Sequence, residues 1–223
     1  MKKLESNIAN MAIVLTAIAV VAGGLLAWVN NVTSGPIEKI NNQAIENGIK
    51  SVILGERDIK FRVEDPTEKE GFVFHNVYDM NDNLLGTAVE STDKNGFGGA
   101  LKVMVGFDPE GVILGYTVLE HSETPGLGAQ ADGWFRQPAT AKAEQPAVVN
   151  VLLGAPGEPG NHNIIGMNPG DDMMIVSKDG GAVDAITAST ITSKAFLRAV
   201  NAAYKAVFGY TAADAVSGAS SQN

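Results

Sequence analysis

The chain has 223 residues, 45% of them hydrophobic, and a formal net charge of −9, a size that fits one ordinary domain plus an appendage. It has no cysteine, which excludes disulfide staples, thiolate-bound zinc and iron–sulfur clusters and leaves the redox compartment open. With no basic cluster beyond Lys2-Lys3, the acidic balance repels nucleic acid.

After a short N-terminus, residues 1–10, the run Met11 to Val29 carries no charge. At about 1.5 Å per residue such a helix comes close to crossing a hydrocarbon layer of roughly 30 Å, so residues 11–30 read as one transmembrane helix. A cleaved signal peptide is the competing reading, with Ala17 to Ala19 as its cleavage site. It would leave an apolar N-terminus, and a secretory apolar region is shorter, about 7–15 residues. Lys2 and Lys3 precede the helix and no positive charge follows it before Lys39. The positive-inside rule therefore predicts a cytoplasmic N-terminus and an outer domain on the other side of the membrane.

Residues 31–70 read as a helical connection. Ile37, Ile40, Ala44, Ile45, Ile49 and Val52 recur near a period of 3.6, which predicts a helix starting at Pro36 after a Ser34 cap, with Gly48 as its weak point. From Gly71 to Leu119 come four runs rich in β-branched and aromatic residues, separated by turn signals at Asn81-Asp82-Asn83, Asn95-Gly96 and Pro109-Glu110-Gly111. They predict antiparallel strands.

Next come a short helix in "GLGAQADGWFRQ", a strand in "AVVNVLLG" within the Pro/Gly/Asn-rich stretch 138–172, and a strand and turn in "MMIVSKDGG". Phe196, Val200, Ala203 and Val207 then mark a helix from about Ile191 to Phe208, stopped by Gly209. Strands first and a packed helix last make the domain, residues 71–210, an α+β fold. Residues 211–223 are small and polar and read as a disordered tail. Trp134 and Phe135 read as core. His75, His121 and His162 share no ligand-like spacing, so no metal site is expected.

The stretch "DAITASTITS", Asp184 to Ser193, places five hydroxyls at the start of that last helix. Taken singly, Thr187, Ser189, Thr190, Thr192 and Ser193 are ordinary helix-cap residues. Together, beside unpaired backbone N–H groups and the positive end of the helix dipole, they suit a phosphate. Neither a P-loop nor a dinucleotide-binding glycine pattern is present.

The stretch resembles the D-x-x-[ST]-G-A-T motif at which a flavin transferase attaches FMN to threonine in the FMN-binding domains of Rnf and sodium-pumping NADH:quinone reductase complexes. Asp184, Thr187 and Thr190 match its Asp, first hydroxyl and acceptor, while Ala188-Ser189 replaces Gly-Ala. Upstream, "HSETPGLG", His121 to Gly128, resembles the H-x-E-T-P-G-L-G loop of the same family, and "NGFGGALKVMVGFDPEGVILGYTVLE" resembles its G-[FY]-G-G segment and following strand pair. With the anchor, the likeness covers nearly the whole chain to Tyr210. The length resembles the Rnf G subunit more than the longer quinone-reductase C subunit.

The resemblance implies a single N-terminal transmembrane helix followed by an FMN-binding domain with an antiparallel sheet and flanking helices. It implies an electron carrier with FMN joined to Thr190 by a phosphodiester bond (a phosphoprotein in that sense), and FAD as donor with AMP released. The carrier is one member of an ion-translocating ferredoxin:NAD oxidoreductase in the cell inner membrane, with its domain on the periplasmic side and no catalysis of its own. Other membrane subunits and a flavin transferase are its implied partners.

Around the cofactor this reading places the Ser189, Thr192 and Ser193 hydroxyls by the phosphate, with Asp184 and Thr187 as further cofactor-binding residues of the motif. Gly126, Leu127 and Thr124 lie by the ring, where absent glycine side chains admit a flat group. His121 and Glu123 orient the loop or contact the ring. On composition alone "TPGLG" is equally a plain turn. The alternatives are a quinone-reductase C subunit, a cofactor-free extracytoplasmic binding module, and a stand-alone anchored flavoenzyme.

Overall fold

The computed structural model describes residues 8–137 and 161–214, and the expected strand in "AVVNVLLG" lies outside them. The chain divides into two compact units, Met1–Ile45 and Glu46–Asn223.

The first unit is the greater part of helix α1, Ile8–Ile49. Its segment Asn10–Gly35 has a mean hydropathy of 2.4 and is long and apolar enough to cross a membrane. Leu15, Ile18, Val20, Leu25 and Leu26 are all exposed, as side chains that meet lipid are and core side chains are not. The helix expected to begin at Pro36 is instead continuous with the apolar one. Proline removes one backbone donor and crowds one carbonyl, and here the helix runs through it.

In the second unit α1 passes into a short π-helical turn, Lys50–Leu54, ended by Gly55 at φ +58°. Six strands follow: β1 (Phe61–Val63), β2 (Thr67–Lys69), β3 (Phe72–Asp79), β4 (Leu84–Asp93), β5 (Leu101–Phe107) and β6 (Ile113–Glu120). The sheet order is β1-β3-β4-β5-β6 with β2 also on β3, and every pairing is antiparallel. The four predicted runs are β3 to β6. The two short strands β1 and β2 fall in the stretch expected to be helical.

Beyond β6 come a 3-10 turn, Gly128–Gln130, and a four-residue helix α2, Ala131–Trp134, where one short helix was expected. The stretch "MMIVSKDGG" forms no strand. It makes a single bridge, Val176 with Val183, and a 3-10 turn, Ser177–Asp179. Helix α3, Thr190–Phe208, ends at Gly209, whose N–H caps the Lys205 carbonyl at φ +87°. The first residues of the expected tail are packed: Thr211 is buried, the Ala212 N–H donates to the Pro169 carbonyl, and Lys205 pairs with Asp214 at 3.0 Å.

Side chains alternate across a strand, so the sheet has two different faces. Leu101, Val103, Val105 and Phe107 of β5 join Val89 of β4 and Phe196, Val200, Ala203 and Tyr204 of α3 in the main core. Phe196 stacks on Phe135 (4.4 Å, 5°) and meets Tyr116 edge-on (4.9 Å, 71°). Phe135 is thus core, and Trp134 packs against it. Burial pushes the Tyr116 phenol up to about 12, and its O–H donates to the Ala131 carbonyl.

On the other face the π turn lies directly on backbone. A Cβ added to Gly106 would come 2.5 Å from the Val52 carbonyl oxygen, and one on Gly115 would come 3.0 Å from the Val52 Cα. Gly48, the weak point of the predicted helix, sits 3.2 Å by the same measure from the Met104 sulfur. Its missing side chain lets the last turn of α1, within this unit, settle on the sheet.

Candidate functional site

The turn before α3 shapes the site. The Ser189 N–H donates to the Ile186 carbonyl at 3.0 Å, and Ala188, third in that turn, has φ +61°. A positive φ at this position is the type II pattern, which favours glycine. This is the position where the sequence departs from the Gly of the motif it resembles. Ser193 closes the turn from inside, with its Oγ accepting the Ile186 N–H and donating to the Ser189 carbonyl, both at 2.9 Å.

Ser189 precedes α3 but makes no side-chain capping bond. The first N–H groups of α3, at Thr190, Ile191 and Thr192, therefore receive no cap from it, and the helix start keeps its affinity for an anion.

Beside this helix start lies a cavity of about 280 Å³ lined by Phe97, Glu123, Thr124, Leu127, Gly128 and residues 188–192. Three segments far apart in sequence meet here: the loop after β4, the loop after β6 and the start of α3. Their centre is Glu123, which is 6% exposed. Its Oε1 accepts the Gly98 N–H at 3.2 Å, and its Oε2 accepts the Thr192 hydroxyl at 2.8 Å.

Of the expected residues, Thr190, Ser189, Thr192, Glu123, Thr124 and Leu127 line the cavity. The others do not. His121 stands at the loop entry, its Nδ1 accepting the Glu123 N–H, and Gly126, at φ +76°, turns the same loop. Thr187 is exposed in the turn. Asp184 is tied elsewhere: its carboxylate accepts the Ser177 hydroxyl at 2.6 Å, its N–H donates to the Asn161 carbonyl, and its carbonyl accepts the Trp134 indole N–H. The Ser193 hydroxyl, expected to face the phosphate, is fully buried inside the turn. That of Thr192 is given to Glu123.

Phe97 and Ile191 were not singled out, yet both line the cavity with Leu127, and all three are exposed. The signal for Phe97 was its place inside "NGFGG". Ile191, read as the start of the last helix, carried no sign of a place in the cavity.

These features fit FMN. Exposed apolar side chains and glycine backbone suit a flat ring, and uncapped N–H groups beside the Thr190 hydroxyl suit a phosphate. The volume is near the lower end for ligand sites, about 300 Å³. Among the described residues no group of three or more His, Asp or Glu could hold a metal ion.

Comparison with known proteins agrees with this chemistry. Residues 96–205 match the family described as FMN-binding domain, a span that runs from the Gly96 loop to within three residues of the end of α3. The chain is 29% identical over 201 residues to the G subunit of the sodium-translocating ferredoxin:NAD oxidoreductase complex of Acetobacterium woodii, covering 86% of this chain and 87% of that one. It is 29% identical over 197 residues to the G subunit of the ion-translocating oxidoreductase complex of Cronobacter sakazakii, covering 86% of each. The corresponding G subunit of Vibrio vulnificus is 34% identical over 120 residues, which is 54% of this chain and 48% of that one.

Proposed function

We propose that this chain, whose residues 96–205 match the FMN-binding domain family, is the G subunit of an ion-translocating ferredoxin:NAD oxidoreductase complex, an electron carrier with FMN joined to Thr190. The observation that carries this reading is the cavity itself. It gathers the glycine loop at Phe97, the Glu123 to Gly128 loop and Thr190 around one space. Relatives that are G subunits of such complexes and align over 86% of the chain support this assignment over the quinone-reductase C subunit.

When bound, FMN supplies one- and two-electron transfer. The chain's own part is to hold and to shape. Thr190 would give its hydroxyl oxygen once, to the FMN phosphorus of FAD, with AMP as the leaving group and the hydroxyl proton passing to solvent. The N–H groups at the start of α3 would hold its phosphodiester. Phe97, Leu127 and Ile191 offer apolar contact to the ring, and the Thr124 loop offers backbone donors.

The helix Asn10–Gly35 anchors the chain, with Lys2 and Lys3 keeping the N-terminus in the cytoplasm and the domain outside. One helix forms no ion path, so the other membrane subunits supply it. A flavin transferase completes the protein, and tethering retains the cofactor where no cytoplasmic flavin pool exists.

The test is the intact mass of the denatured chain after co-production with a flavin transferase. We expect the mass of one FMN less water, absent from Thr190→Val. A chain that gains no mass while a control substrate is modified refutes covalent attachment.

A further inference from the structure

We propose that Glu123 is a positioning residue for the acceptor threonine, its buried carboxylate latching the start of α3 to the two glycine loops that form the rest of the cavity. This rests on the reading of Thr190 as the acceptor. Thr192 belongs to the same helical turn as Thr190, and its hydroxyl bond to Glu123 joins positions 69 residues apart. The other carboxylate oxygen holds the Gly98 N–H across 25 residues.

The glycines fit the carboxylate from both sides. A Cβ on Gly96 would lie 2.6 Å from its Oε1, and one on Gly128 would lie 2.5 Å from its Oε2 and 2.7 Å from the Thr192 oxygen. An added atom at either glycine is crowded by this carboxylate, and at Gly96 also by the Gly99 carbonyl oxygen at 2.5 Å. The carboxylate is the piece around which both are shaped.

Glu123 also differs from the other buried acid of the domain. Glu90 is paired with Lys102 at 2.7 Å and His75 at 2.8 Å, whereas among the described residues no Lys, Arg or His forms an ion pair with Glu123. Among the described residues its carboxylate is met by two hydrogen bonds and lies at the start of α3, the positive end of that helix. A buried carboxylate without a cation adds little to stability. Its removal therefore displaces Thr190 far more than it unfolds the domain.

The experiment measures transfer of FMN from FAD to the full-length chain in detergent by a purified flavin transferase, for wild type, Glu123→Ala and Glu123→Gln, alongside thermal unfolding. Misplacing a reacting group costs on the order of tenfold or more in rate. We expect Glu123→Ala to lower kcat by at least about tenfold with KM for FAD unchanged, while remaining folded at the assay temperature. Glutamine can accept the Gly98 N–H and donate to the Thr192 oxygen, so Glu123→Gln recovers most of the rate.

A folded Glu123→Ala chain that loads at the wild-type rate overturns the proposal. So does a folded Glu123→Gln chain as slow as Glu123→Ala, which assigns the effect to charge. If wild type itself takes no flavin, the reading of Thr190 has failed, and the latch is read separately by amide hydrogen exchange. Faster exchange at residues 189–193 in Glu123→Ala but not in Glu123→Gln upholds the latch, and unchanged exchange in both refutes it.

Discussion

The two faces of the sheet are held by opposite means. Against α3 the sheet presents Val103, Val105 and Phe107, and large side chains interlock with Phe196 and Tyr204. Against the π turn it presents Gly106 and Gly115, and backbone rests on backbone. One face fails when atoms are removed; the other fails when atoms are added. The polar group His75, Glu90 and Lys102 lies on the glycine face, so even its charges are arranged away from the apolar core.

Truncation on the α3 face has the largest expected effect. Phe196→Ala deletes a ring that contacts both Phe135 and Tyr116 and costs about 3–5 kcal/mol, read as a lower denaturant midpoint; a loss as small as that of a surface substitution breaks the contrast. On the glycine face, Gly106→Ala drives a methyl against the Val52 carbonyl, and overpacking of this kind costs about 1–3 kcal/mol. The same substitution at Gly133, which has nothing within 4 Å of the added atom, serves as the control.

Acid sharpens the contrast further. Burial alone raises the carboxyl of Glu90, but hydrogen bonds from His75 and Lys102 and the Lys102 charge hold it below its ordinary value of 4.5. A depressed carboxyl stabilises the fold above that ordinary value, and this contribution is lost as pH falls through the folded pKa. Denaturant midpoints measured from neutral pH down through this window fall less steeply in Glu90→Gln than in wild type. Phe196→Ala, lacking any titratable change, keeps the wild-type slope.

The smallest expected effect has the opposite sign. Ala188 holds φ +61°, a left-handed conformation that costs a residue with a Cβ about 1 kcal/mol or more. Ala188→Gly is therefore expected to raise stability by up to about 1 kcal/mol, seen as a small rise in melting temperature. No gain would mean that the turn is held by Ser193 from within and that the φ carries no penalty.

The sequence pattern revealed the parts that repeat. β-branched runs disclosed β3 to β6, and a period of 3.6 disclosed α3. The pattern did not disclose β1 and β2, which at three residues each are too short to show an alternation. "MMIVSKDGG" misled because apolar β-branched residues mark burial as readily as a strand, and Val176 and Val183 are buried in the core. At the site, motifs pointed to Thr190 and the Glu123 loop, which line the cavity, whereas Asp184 bonds Ser177, Asn161 and Trp134 and Ser193, expected by the phosphate, braces the turn. Hydroxyls on successive residues point in different directions around a helix, and only the folded chain decides which of them meets the cavity.

The placement of α3 at the end of the fold sets an order of events. Strands β3 to β6 leave the ribosome first and pair with sequence neighbours, whereas the helix that covers their apolar face begins at Thr190, 70 positions after β6 ends at Glu120. N-terminal parts of a chain fold first during synthesis, so the sheet waits, half covered, for its last partner. The walls of the cavity at residues 96–98 and 123–128 are made early, but its third wall arrives with α3. A chain broken off before that helix lacks the third wall of the cavity, so the cavity exists only once translation has passed α3.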